Sequence, residues 1–228
     1  MAELQKSKLI KREIIKTATT MFLENGYSKT SPQMIAKALG ISTGNLTYHY
    51  PTKEHLLAVL VEMLCEFQEK LIEFEADKGL SSNMSICIEL MTIASACEEN
   101  EAAKDFFVST FQSPVCLEAL RRSHVKRAKR IFAEQCKGWT EEQFVEAEIL
   151  VQGIDYATII SDNAALSLNT RISGALNQIL AIYNVPENLR KEKIERVLSM
   201  DCRGTGKRVL TEFISYVGNA IDDLFKDN

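Results

Sequence analysis

The segment from Thr43 to His49 combines side chains that suit contact with a nucleic acid. It offers hydroxyl, amide and imidazole groups, and it contains neither Asp nor Glu. Phosphates would repel a carboxylate at such a surface, whereas the groups present can read base edges or hold phosphate oxygens. A polar, solvated helix end would show the same composition, so the segment alone leaves both interpretations open.

Two short helices around a glycine turn would position this segment. Ser31 suits an N-cap and Pro32 the first helical position, while Gly40 lies where a helix end favours a left-handed residue. Ser42 then caps the next helix, and Pro51 stops it. Two capped helices joined by a tight turn are a helix-turn-helix signature.

The spaced pattern over residues 30–56 resembles the DNA-binding domain of TetR-family transcriptional regulators. Its positions read Thr-Ser-x-x-x-Ile-Ala-x-x-Leu-Gly-Ile-Ser-x-Gly-x-Leu-x-Tyr-His-Tyr-Pro-Thr-Lys-Glu-x-Leu, and the Asn25-Gly26-Tyr27 ending of the preceding helix belongs to the same pattern. The match is specific because many spaced positions agree at once. Thr47 departs from it, since the family usually has an aromatic residue there.

The resemblance implies that the second short helix enters the major groove of DNA. We expect Thr43 and Asn45 to read bases, because both carry hydrogen-bonding groups on the first turn of that helix. Tyr48 and Lys53 are expected to hold phosphates, and His49 either donates to a phosphate or lies partly buried against the first helix. The predicted DNA-binding residues are Ser31, Thr43, Gly44, Asn45, Thr47, Tyr48, His49 and Lys53.

The charge of the chain is distributed unevenly between its two ends. The net charge is −4, which taken alone argues against a nucleic-acid-binding protein. Up to residue 60, however, eight Lys and Arg residues face only four Glu residues and no Asp. The N-terminal part is therefore positive and the remainder carries the acidic excess, as expected of a DNA-binding head on an acidic body.

The cysteine and histidine content argues against a metal centre. The six cysteines are far apart, and none of the three histidines lies at ligand spacing from a cysteine. We therefore expect no structural zinc, no disulfide framework and no cofactor, with the thiols buried and reduced.

The longest apolar run, over residues 149–168, is interrupted by Asp155, Asp162 and Asn163. We therefore predict no membrane-spanning helix and a cytoplasmic location.

Helical periodicity predicts an all-α fold in two parts. Residues 1–52 would form a three-helix helix-turn-helix domain, with a flexible basic arm over residues 1–7 and the first helix over residues 8–25. Residues 53–228 would form a larger helical domain for ligand binding and dimerisation. It would begin with a long helix that is capped by Thr52 and runs to about residue 76, and the leucine and phenylalanine stripe on one face of this helix could link the two parts rigidly.

The later helices carry the features expected of a dimer. Apolar residues occupy much of the circumference of the predicted helix over residues 141–161, which suggests one face on its own core and one on a partner. That helix and the next one, from two subunits, would make a four-helix interface, although a monomeric core would also explain the pattern. The resemblance favours the dimer. The helices after Pro186 could cover a pocket or enlarge the dimer contact.

A basic run over residues 121–130 allows two interpretations. It could be a second polyanion site, or it could be a solvated helix face that balances nearby acidic residues, and we favour the second.

We predict a dimeric, ligand-responsive transcriptional repressor that binds a palindromic DNA operator; the response to a small-molecule effector follows from the resemblance alone. The alternative is a helix-turn-helix adaptor that recruits protein partners without a small-molecule ligand. An enzyme is disfavoured, because the chain has few histidines and no glycine-rich phosphate loop. The residues predicted to line a ligand pocket, unless they are simply core, are Phe107, Phe111, Asp155 and Tyr156.

Overall fold

The computed structural model describes the backbone of residues 2–77, 81–161 and 166–224, and the side chains of residues 7–71, 81, 83–161, 166–201 and 206–220. Over these backbone ranges the chain forms eleven α-helices and no strand, which confirms the all-α prediction. The helices are α1 (Ala2–Asn25), α2 (Pro32–Ala38), α3 (Thr43–His49), α4 (Lys53–Asp77), α5 (Ser82–Glu99), α6 (Glu101–Gln112), α7 (Pro114–Ile131), α8 (Glu141–Ile160), α9 (Leu168–Ile182), α10 (Glu187–Leu198) and α11 (Cys202–Leu224).

The first helix begins earlier than its sequence predicts. The flexible arm expected over residues 1–7 is wrong for residues 2–7, because α1 starts at Ala2. Residues 2–7 contain no Pro or Gly and include Ala, Leu, Gln and Lys, which are strong helix formers. No residue in this stretch therefore prevents the helix from starting at Ala2. The helix ends at Gly26, whose φ of +95° is the left-handed conformation that glycine adopts readily.

The helix-turn-helix is held by the caps that its sequence predicts. The Ser31 hydroxyl accepts a hydrogen bond from the Met34 amide at 3.2 Å, and the Ser42 hydroxyl accepts one from the Asn45 amide at 3.1 Å. Gly40 turns the chain between α2 and α3 with a φ of +64°. Leu46 is fully buried and anchors α3 against the core of the head, so the opposite face of α3 points outward.

Two hydrophobic cores organise the molecule. The first joins α1, α2 and α3 to α4, α6, α7 and α11, and the second packs α5 with α7 through α10. Leu56, Leu57, Leu60 and Val61 of α4 are all buried within the first core. The head and the start of the body therefore share one core, and the division between residues 52 and 53 stays a prediction.

The last helix packs on its own protomer. α11 contacts α5 most extensively, and it also packs against α1 and α4. Gly206 permits the close approach, because a Cβ atom there would lie 3.0 Å from the Ala96 nitrogen and 3.2 Å from the Thr92 oxygen. Phe213 and Val217 of α11 are buried in this contact, and the side chains of Ile221 and Leu224 lie outside the described residues.

The basic run on α7 is largely paired with acidic residues. Arg122 forms an ion pair with Glu62 at 3.3 Å on the surface, and Arg130 pairs with Glu69. Arg127 is different, because it is buried and pairs with Glu89 at 2.8 Å. The favoured interpretation of a charge-balancing face thus fits most of the run, but the solvated part of that interpretation is wrong for Arg127.

Candidate nucleic-acid interface and ligand cavity

The outer surface of α3 is polar and open. Tyr48 is 82% exposed and Gly44 is exposed, whereas Thr43, Asn45 and Thr47 are half-buried. The Thr47 hydroxyl donates to the Gly44 carbonyl at 3.2 Å and is therefore satisfied within the helix. The structure brings six of the predicted DNA-binding residues together on this one helix, at the tip of the head.

Asn45 lies in the first turn of α3 with its side chain half-buried. Its Oδ1 atom is buried, and no hydrogen-bond partner for that atom occurs among the described residues. A side-chain amide can exchange the positions of its oxygen and nitrogen by a simple flip, so either group can face outward. Asn45 therefore has a hydrogen-bonding group that the protein itself leaves unused.

Tyr48 and His49 form a contacting pair at the end of α3. Their rings meet edge to face with centroids 5.1 Å apart. Burial, with a smaller contribution from the nearby Lys11 ammonium, lowers the pKa of His49 below its usual value. The imidazole is therefore neutral at pH 7 and can donate one hydrogen bond from a ring nitrogen.

Lys53 has a structural role that its sequence position does not reveal. Its ammonium donates to the Tyr27 carbonyl at 2.8 Å and to the Thr30 carbonyl at 3.1 Å, and it lies 3.9 Å from the centre of the Tyr27 ring. Partial burial lowers the pKa of Lys53. The side chain thus ties the start of α4 to the turn between α1 and α2, while its contact with phosphate stays a prediction.

Two further polar contacts tie the N-terminal region and the start of α4 to later helices. Asp105 of α6 accepts hydrogen bonds from the Ser28 amide and the Ser28 hydroxyl, both at 2.6 Å. Glu54 of α4 accepts a hydrogen bond from the Ser113 hydroxyl at 2.5 Å, at the start of α7. These links come from residues 59 and 77 positions apart in the chain, so no local sequence pattern signals them.

An inner cavity of about 60 Å³ lies in the body between α4, α5, α6, α7 and α8. Phe107, Phe111 and Asp155 of the predicted pocket residues line it together. Tyr156 is not part of the lining, but its ring lies 5.8 Å from that of Phe111. Whether these residues bind an effector stays a prediction.

The polar residues of the inner cavity form a network around one arginine. Arg127 pairs with Glu89 at 2.8 Å, while Glu148 lies 3.7 Å from His124 and accepts a hydrogen bond from Tyr183. Burial acts to raise the pKa of Glu148, but His124, Tyr183 and Arg127 together lower it below its usual value. Glu148 is therefore ionised at neutral pH.

Asp155 also lines the inner cavity, but its carboxyl group forms no ion pair with a described residue. Its side chain also has no hydrogen bond to a described residue. Burial, followed by the charges of Glu89 and Glu148, raises the pKa of Asp155 well above its usual value. Its carboxyl group can therefore be protonated at this wall of the cavity and can both donate and accept hydrogen bonds.

The described residues hold little that suggests other chemistry. Five cysteines are buried and free, and burial raises the pKa of each of their thiols. Cys202 lies outside the described side chains. No cluster of metal-ligating side chains occurs among the residues whose positions are described, and none of their helices is long and apolar enough to cross a bilayer.

Residues 14–60 match the sequence model of the bacterial regulatory proteins of the tetR family, a range that begins in α1 and ends in α4. Over 185 residues the chain is 26% identical to the uncharacterized HTH-type transcriptional regulator YxaF of Bacillus subtilis (strain 168), covering 80% of this chain and 96% of that protein. The chain belongs to the TetR family and is a DNA-binding transcriptional regulator.

Further similarities agree with this assignment. The chain is 37% identical to the HTH-type transcriptional regulator QacR of Staphylococcus aureus (strain Mu50 / ATCC 700699) over 54 residues, which cover 24% of this chain and 29% of QacR. The crystal structure of Thermus thermophilus FadR in complex with lauroyl-CoA has the same fold, with a TM-score of 0.55 and 19% identity, over 78% of this chain and 96% of FadR.

Proposed function

We propose that this protein is a dimeric, ligand-responsive repressor that binds a palindromic operator through α3. The observation that carries the proposal is the outward face of α3, where the polar side chains of Thr43, Asn45 and Thr47 accompany an exposed Tyr48 while the buried Leu46 anchors the helix. Such a helix fits the major groove, with Thr43 and Asn45 toward base edges and Tyr48 toward a phosphate. In a dimer, two-fold symmetry makes the operator an inverted repeat.

The dimer contact is proposed on the outer face of α8. Ile149, Leu150 and Ile160 are between 42% and 54% exposed in the protomer, and Gly153 and Ala157 lie exposed between them. Exposed large apolar side chains in a row on one helix are typical of an interface. Binding to a palindromic operator requires two copies of the chain related by two-fold symmetry. In such a dimer the outer face of α8 would be buried against the same face of the second copy.

Replacing Ile149 with glutamate is expected to convert the dimer to a monomer. The new carboxylate would meet its own copy near the two-fold axis, beside the existing Glu142 and Glu146, and like charges in a desolvated contact cost several kcal/mol. Ile149 is half-exposed in the protomer, so the fold should persist.

Sedimentation velocity measures the mass of the variant in solution. Val115→Glu, at a site 56% exposed on α7, is the control and should stay dimeric; equal dissociation of both variants would contradict the α8 interface.

The effector is proposed to act through α6. This helix carries Phe107 and Phe111 in the wall of the inner cavity, and on the same helix Asp105 holds Ser28 of the head. A molecule that binds better when α6 is displaced would therefore favour a different position of the head. The shift in DNA affinity cannot exceed the difference in the affinity of the effector for the two arrangements.

Tyr48→Ala is expected to weaken DNA binding while leaving the fold intact. The side chain is 82% exposed, so its removal costs little stability. A hydrogen bond to a charged phosphate contributes about 1.5–3 kcal/mol, which corresponds to roughly 10- to 100-fold in affinity. Fluorescence anisotropy with duplexes recovered by selection from random DNA provides the measurement.

Asn45→Ala is the companion variant in the same assay. It should reduce the preference between selected and random duplexes, because a lost base contact removes discrimination, whereas Tyr48→Ala should weaken both duplexes by a similar factor. If the two variants changed affinity and preference in the same way, the assigned roles would be wrong. If neither variant changed DNA binding, α3 would not be the reading helix.

A further inference from the structure

A second cavity, larger than the inner one, lies between α4, α5 and α11. Its volume is about 440 Å³, which falls within the range of roughly 300–1,000 Å³ typical of small-molecule sites. It shares Leu64, Gln68 and Glu89 with the inner cavity, but its outer wall is the last helix. Most of its surface is apolar and comes from α4 and α11, including Leu64, Phe67, Leu71, Val209, Leu210 and Phe213.

The α5 wall of this cavity carries a row of polar residues within an otherwise apolar lining. Ser85, Glu89 and Thr92 recur at intervals of four and three residues, so they lie on one face of α5, and all three line the cavity. The remaining lining residues of α5 are apolar, namely Ile88, Met91, Ile93 and Ala96. A polar row in a mainly apolar cavity fits an amphipathic ligand with its hydrogen-bonding groups along one edge.

Three buried polar groups of this cavity are left without partners. Ser85 and Thr92 are 5% exposed and Gln68 is 7% exposed. The Ser85 Oγ, Thr92 Oγ1 and Gln68 Oε1 atoms have no hydrogen-bond partner among the residues that the structure describes. Leaving such groups unsatisfied is costly, and proteins rarely do so without a reason. These atoms are shielded in the structure. A bound molecule with hydroxyl groups would give them partners when the side chains turn toward the cavity.

The charges of the cavity are already balanced. Glu89 is paired with Arg127 at 2.8 Å, and Arg208 at the exposed rim lies 3.7 Å from Glu212. The other residues that line the cavity are uncharged. An ionised head group would therefore enter the site without a free counterion and would lose its hydration, so the charge balance favours a neutral ligand.

We propose that this cavity is a binding site for a neutral, elongated and mainly apolar molecule that carries hydroxyl groups about 10 Å apart. The distance follows because Ser85 and Thr92 are seven positions apart on α5, at about 1.5 Å of rise per position. Such a ligand would contact α11, which also packs against α1 of the head. The site adds a second effector cavity to the proposed function, and its binding can be measured without DNA.

Isothermal titration of the full-length protein with heptane-1,7-diol, heptan-1-ol and heptanoate tests the proposal, because the extended diol has its two hydroxyl groups at the proposed spacing. The diol is expected to bind saturably with one site per protomer, roughly 2- to 10-fold more tightly than the mono-alcohol, because it makes an additional hydrogen bond. Heptanoate should bind at least about tenfold more weakly than the diol, because its charge must be desolvated. Heptanoate binding as tightly as the diol would overturn the neutral-ligand assignment.

Thr92→Val and Leu210→Trp locate the site. Thr92→Val should weaken diol binding by roughly 2- to 10-fold without lowering the melting temperature, since its hydroxyl bonds nothing in the described protein. Thr158→Val is the matched control, because Thr158 is also buried and lines neither cavity. It should leave the affinity for the diol unchanged.

Leu210→Trp should abolish binding by filling the cavity from α11. Equal weakening by Thr92→Val and Thr158→Val, or full binding by Leu210→Trp, would overturn the assignment. So would the absence of any saturable binding of the diol to the native protein. None of these results would alter the operator-binding assays, so a failure of this site is distinguishable from a failure of the proposed function.

Discussion

Arg127→Leu is expected to destabilise the protein by about 3–5 kcal/mol, because it leaves a buried carboxylate without its counterion. Arg127 is 6% exposed and pairs with Glu89 at 2.8 Å, beside Glu148 and Asp155. Removing the guanidinium would leave the Glu89 carboxylate, whose side chain is only 16% exposed, without its partner. Urea unfolding at pH 7 measures the change as a lower midpoint.

Arg122→Leu is the matched control on the same helix. Arg122 pairs with Glu62 at 3.3 Å, but the two side chains are 72% and 57% exposed. A solvated pair of this kind contributes at most about 1 kcal/mol, because water screens it and long side chains lose entropy. If Arg127→Leu and Arg122→Leu lowered the free energy of unfolding by similar amounts, the burial of Arg127 would not explain how much it stabilises the protein.

The deficit of Arg127→Leu should become smaller as the pH falls. The charge of Arg127 lowers the pKa of Asp155 and of Glu148, so without it both carboxyl groups bind protons at a higher pH in the folded variant than in the folded native protein. Stability relative to the native protein is then lost as pH rises and regained as pH falls. A deficit of the same size at pH 5 and pH 7 would mean that lost packing, rather than charge, is responsible.

Gly206→Leu is expected to separate α11 from α5 and to lower stability by about 1–3 kcal/mol. The first added carbon alone would lie 3.0 Å from the Ala96 nitrogen and 3.2 Å from the Thr92 oxygen, and backbone atoms of a packed helix cannot move aside as a flexible side chain can. For a protein of this size the loss corresponds to a decrease in melting temperature of roughly 2–10 °C.

Gly218→Leu tests the same change on the same helix without the close approach. No atom lies within 4 Å of a Cβ placed at Gly218, so the new side chain meets no obstacle. Leucine has a better helix propensity than glycine by somewhat less than about 1 kcal/mol, and the variant should be as stable as the native protein or more so. If both variants lost a comparable amount of stability, the close approach of Gly206 to α5 would not be the cause of the loss.

The helix-turn-helix could be predicted from sequence because its signals are local. The caps at Ser31 and Ser42 and the left-handed turn at Gly40 each depend on residues within four positions, and the structure contains all three. The resemblance of residues 30–56 to the family adds to the same signals, and the family assignment is confirmed. Local hydrogen bonding therefore identified the helix-turn-helix.

The contacts that connect the head to the body could not be predicted, because they join residues distant in sequence. The sequence predicts a phosphate contact for Lys53, and no local pattern indicates that its ammonium also donates to the Tyr27 and Thr30 carbonyls. Asp105 on α6 carries no sequence signal for its contact with Ser28. Such roles depend on tertiary packing, which periodicity does not encode.

Apolar periodicity also left the two cavities unassigned. It indicates which face of a helix is buried but not whether that face meets another helix or an open space. Phe107 and Phe111 line the inner cavity, whereas Phe106 on the same helix lies in the core. The cavity beside α11 depends on the close packing at Gly206, and glycine in a helical pattern gives no indication of its partner.

The mass of the complex with a selected duplex tests the central claim most directly. The account predicts that selection from random DNA recovers an inverted repeat whose half-site centres are separated by about one turn, roughly 34–36 Å, or a multiple of it. Sedimentation should then find two protomers on each such duplex, and Ile149→Glu should lose this complex while retaining its fold. A single protomer bound with full affinity to one half-site, or no enriched sequence at all, would contradict the account.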